Sequence, residues 1–124
     1  MPTVSQTLRR WFLIHFVLDF LFGLPLLFFP AFTLSLFGFL TENLMLARLV
    51  GAALIGIGGT SLLMHRAGIE IYKAMLDLKI FWSISAIIAI ILSIMTGAPP
   101  SAWLFLAIFG LFSVVWTRYR FLVK

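Results

Sequence analysis

Four long apolar runs, parted by short polar or proline-bearing links, set the plan of this 124-residue chain. The first runs from Trp11 to Phe29 and the second from Leu44 to Met64; the third begins near Ile69 and ends at Met95, and the fourth spans Ala102 to about Thr117. A helix crosses the hydrocarbon core of a bilayer in ~20 residues at 1.5 Å of rise each. The pattern therefore predicts an all-α integral membrane protein: one transmembrane domain, a four-helix bundle with spans at about 11–29, 44–64, 74–95 and 102–117. Helix three is longer than a bilayer requires, so its first turns are expected in the headgroups or the cytoplasm.

The breaks between the runs carry their own signals. Pro25 should kink or end the first helix, and Pro30 blocks its continuation. The ten apolar residues that follow, AFTLSLFGFL, are too few to cross, and read as a short interfacial or re-entrant segment. Thr41 is placed to cap the second span, with Glu42 in a first turn whose dipole favours negative charge. The link His65-Arg66-Ala67-Gly68 is short enough to make spans two and three antiparallel neighbours. In Thr96–Ser101, Gly97 suits a left-handed helix end, the proline pair stops the helix, and Ser101 can cap the next one.

Polar residues inside the runs must find partners, because a charge at mid-bilayer costs about 2.5 to 3.5 kcal/mol on insertion scales. Asp19 lies near the middle of span one, with His15 one turn before it on the same face. Arg48 enters span two from the other side, within reach in depth, so the sequence predicts an Asp19–Arg48 pair with His15 as a second partner. Arg48, Ala52, Gly56 and Thr60 recur every fourth residue and form the expected helix-packing stripe, since small residues let helices approach closely in lipid. Lower in the chain Asp77 stands four residues after Lys73, an expected pair near the cytoplasmic surface, with Lys79 snorkelling beside it. The same groups admit a functional reading as a proton relay or an anion site, and a structural one as glue between helices.

Composition narrows the classes. With 63% hydrophobic residues, 10% charged residues and a mean hydropathy of +1.16, the chain has no room for a soluble catalytic domain. Arg9 and Arg10 before an apolar run resemble a signal peptide, but the run is long, is interrupted by Asp19 and lacks a small-residue cleavage site; it reads as a retained span. There is no cysteine, which removes disulfides and thiolate chemistry. His15 and His65 have no companion ligands, Gly56, Gly58 and Gly59 sit in an apolar helix with no strand before them, and no catalytic set appears; no cofactor or metal is expected.

The net charge of +5 fits anionic lipid rather than nucleic acid, because basic residues gather at span ends. Arg9, Arg10, Arg66, Lys73, Lys79, Arg118, Arg120 and Lys124 all fall on one side in a four-span arrangement, whereas the opposite links hold Glu42. The positive-inside rule then places both termini in the cytoplasm of a prokaryotic plasma membrane.

Phe29-Pro30 at the end of span one, the link Leu34-Ser35-Leu36-Phe37-Gly38, and Ala47-Arg48-Leu49-Val50-Gly51 opening a glycine-rich second span together resemble the small four-span prokaryotic membrane proteins grouped as DoxX-like. The resemblance covers the first half of the chain best. It implies association with oxidoreductase complexes in the membrane; no thiol-based role carries over to a chain without cysteine. The expected function is that of a non-enzymatic subunit or scaffold that packs with another membrane protein, or with itself, or binds lipid. The alternative is a small oligomeric carrier or channel with a polar pathway at Asp19, Arg48 and His15.

Overall fold

A computed structural model describes residues 3–123. Five helices account for the regular structure there: α1 (Gln6–Phe28), α2 (Pro30–Leu36), α3 (Leu44–Leu63), α4 (Ile69–Met95) and α5 (Ala102–Leu122). Of these, α1, α3, α4 and α5 are long and apolar enough to cross a membrane.

Local chemistry explains where the ends fall. Helix α1 starts at Gln6, ahead of the apolar run, because Ser5 caps it: the Ser5 hydroxyl accepts the Leu8 N–H at 3.2 Å. It continues through Pro25, since the Phe29 N–H still reaches the Pro25 carbonyl at 2.7 Å and closes a last turn. The break comes at Phe29, and Pro30 opens α2, where its missing N–H removes no helical bond. The short apolar segment is thus a helix of 7 residues. Gly38, at φ +82°, ends it: Phe39 N–H donates to the Leu34 carbonyl at 2.8 Å and Gly38 N–H to that of Ser35 at 3.1 Å.

The same paired bonds close α4 at Gly97, as its sequence position predicts. There φ is +100°, and Ala98 N–H reaches the Ser93 carbonyl at 2.9 Å. Two expected caps take other forms. Helix α3 begins after Asn43, so Thr41 and Glu42 lie ahead of it. At α5 the backbone does the capping: the amides of Ala102, Trp103 and Leu104 donate to the carbonyls of Pro99, Pro100 and Ser101. Helix α5 also runs past Thr117 to Leu122, carrying Arg118 and Arg120 in helical register.

The chain divides into two compact units, one formed by Ser5–Ala67 and the other carrying the chain from Gly68 on. In the first, α1 packs on α3 and the short α2 lies against both. In the second, α4 packs on α5. Each unit is a helical hairpin around its own seam.

Candidate functional site

In the first hairpin the packing face of α3 is Ala47, Gly51, Leu54, Gly58 and Ser61. Steps of four and three alternate along it, the seven-residue spacing that keeps one seam against a neighbouring helix. Opposite lie Leu8, Phe12, His15, Asp19 and Gly23 of α1. Contact is backbone to backbone: a Cβ placed on Gly51 would stand 2.8 Å from the Gly23 carbonyl oxygen and 2.9 Å from the Leu27 nitrogen. A Cβ placed on Gly58 would lie 2.6 Å from the Cβ of Asp19. Glycine at these two positions is what lets α1 and α3 touch.

The stripe expected from the sequence therefore lies one or two residues off the seam. Ala52 and Gly56 are exposed, Thr60 is half-buried, and a Cβ on Gly56 would meet nothing within 4 Å. One residue rotates a helix position by about 100°, enough to turn a whole stripe off the seam. Both stripes are rich in small residues; only the one facing Gly23 and Asp19 has a complementary surface to meet.

Arg48 leaves the seam with its stripe. It is exposed, one turn from the start of α3, and forms no ion pair or hydrogen bond among the described residues. The expected Asp19–Arg48 pair is not made. Desolvating a guanidinium is costly, and near a helix end the long side chain can reach a polar region instead. The other expected partner is in place: His15 Nε2 lies 3.3 Å from Asp19 Oδ1, with both side chains nearly sealed at 5% and 8% exposure. Gly58 forms the floor under this pair.

At the end of the same hairpin stands a contact that the sequence reading counted only as charge. Arg9 Nη1 donates to the His65 carbonyl at 2.6 Å and the Ala67 carbonyl at 3.1 Å, fastening the turn after α3 to the start of α1. That turn is closed by Ala67 N–H on the Met64 carbonyl at 3.0 Å, and the His65 ring holds the Leu62 carbonyl at 2.6 Å. An arginine at this point also complements the negative end of α3.

In the second hairpin the carboxylates choose other partners than expected. Asp77 pairs across helices with Arg120, at 2.7 Å to Nε and 3.5 Å to Nη2. Lys73 pairs with Glu70 at 3.3 Å, three residues back along α4. The extension of α5 brings the planar guanidinium of Arg120 to both Asp77 oxygens, a fit that an ammonium cannot offer. Lys79 does not snorkel: it is fully buried, with its ammonium 4.9 Å from the centroid of the Trp116 ring, a cation–π contact. Trp116 stacks in turn on Phe112 at 5.4 Å. Tyr72 is likewise fully buried, whereas Trp103 is exposed.

Among the described residues no three His, Asp or Glu side chains gather as a metal site. The first hairpin thus offers one sealed His–Asp pair and one exposed basic end; the second offers ion pairs at its surface and a cation under an indole. No family model, curated protein or solved structure matches the chain.

Proposed function

We propose that this chain is a non-enzymatic subunit or scaffold of a prokaryotic plasma membrane, with both termini in the cytoplasm, that packs against a second membrane protein. The observation that carries the reading is an aromatic corner where α1 runs into α2. Phe28, Phe29 and Phe32 are each about two-thirds exposed, beside Leu36 at 67%. Bulky rings presented together on a short rigid helix are the kind of anchor that fills pockets on a partner. The helices leave most of their surface to their surroundings; in α4 only 11% of the most apolar stretch is buried. The DoxX-like resemblance points the same way, toward membership in a membrane complex.

The test is purification of the tagged chain in mild detergent. A stoichiometric membrane partner is expected, and Phe29→Ser with Phe32→Ser should release it while the chain stays folded. A homogeneous homo-oligomer whose proteoliposomes pass ions or solutes would overturn the reading in favour of a carrier. In that alternative His15 and Asp19 stand together, while Arg48 is exposed apart from them.

A further inference from the structure

We propose that the end of the first hairpin, where α1 begins and α3 finishes, is a binding site for the phosphate of an anionic phospholipid, with Arg10 and Arg66 as its ligands. The inference rests on the reading of α1 and α3 as membrane spans and goes beyond it by naming the site. Arg9 builds it. Its bonds to the carbonyls of His65 and Ala67 hold the turn that carries Arg66 against the helix start that carries Arg10. Arg66 sits between the two residues whose carbonyls accept these bonds, and Arg10 follows Arg9 directly. Both are exposed, and neither forms an ion pair or hydrogen bond among the described residues.

Nothing in the hairpin neutralises them. Its acids are Asp19, buried with His15, and Glu42, which precedes α3 and so lies at the hairpin's other end. The second hairpin differs. Lys73 is matched by Glu70, Arg120 by Asp77, and Lys79 is buried, so most of its cations are already engaged. Two guanidiniums without partners among the described residues, carried on backbone that a third holds together, suit a phosphodiester, which accepts planar N–H pairs. At a membrane surface the available phosphodiester is a lipid headgroup, and each arginine there raises affinity about fivefold.

The experiment uses the purified full chain in neutral detergent, titrated with phosphatidylglycerol or phosphatidylcholine and read by native mass spectrometry as retained lipid. Preferential retention of phosphatidylglycerol is expected. Arg10→Gln with Arg66→Gln should reduce that retention roughly 25-fold, and Arg118→Gln should leave it within about twofold. Both replaced side chains are exposed, so the melting temperature of the double variant reports folding separately. Equal retention of both lipids, or unchanged retention by the double variant, overturns the proposal. Competition by inorganic phosphate as effective as that by the lipid also overturns it, since the site would then be one for free anions. Partner co-purification from the same preparation reads the scaffold proposal independently.

Discussion

At the scale of single residues, the fit of α1 on α3 turns on glycines that only a three-dimensional seam distinguishes. Gly58→Ala would press a methyl group into Asp19 at 2.6 Å, far inside any normal contact, under a pair that has no room to move. Overpacking of this kind costs about 1 to 3 kcal/mol. Gly56→Ala, two positions away, meets nothing and gains helix propensity of up to about 1 kcal/mol. The expected outcome is a lowered melting temperature in detergent for Gly58→Ala and an unchanged or raised one for Gly56→Ala; the reverse order would mean that the stripe predicted from sequence is the true seam. Only part of this was legible. His15 and Asp19 share a helix, so their i, i+4 spacing was enough to pair them. Arg48 needed knowledge of the rotation of α3 about its axis, which its two competing small-residue stripes left ambiguous.

Among the elements, apolar length placed every long helix, and proline and glycine placed the breaks. Partner choice was less legible, because side chains select across helices by geometry. Asp77 reads as a partner of Lys73 until α5 is seen to extend far enough to bring Arg120 alongside α4. That bridge is exposed, and exposed pairs contribute about 0 to 1 kcal/mol, so it tunes the hairpin rather than holding it. The Arg9 clamp is different in kind. It joins one element's start to the turn that follows another's end through charge-assisted bonds to backbone carbonyls. Arg9→Gln is expected to cost about 1.5 to 3 kcal/mol in unfolding titrations and to speed amide hydrogen exchange in residues 64–68. Unchanged exchange there would show that the turn is held by its own bonds from Ala67 and His65.

For the molecule as a whole, orientation depends on which charges are available to the membrane surface rather than on how many the sequence contains. Eight basic residues counted toward one side, but Lys79 is buried, Lys73 and Arg120 are paired, and Arg9 is engaged with carbonyls. Among the described residues Arg10, Arg66 and Arg118 remain exposed to carry the bias, against Arg48 and Glu42 near the opposite end of α3. On the proposed reading with cytoplasmic termini, three against one with an adjacent acid would be the bias that orients the four crossings, since Lys and Arg near span ends set topology and acids contribute little. The absence of native cysteine makes this measurable. Single cysteines at Thr3 and Val123 should react with a membrane-impermeant maleimide only after permeabilisation of the cells, and one at Glu42 should react in intact cells. Labelling of Thr3→Cys from outside would reverse the assignment. It would also carry Arg10 and Arg66 to the outer leaflet, where the headgroup site would face a surface with less anionic lipid to hold.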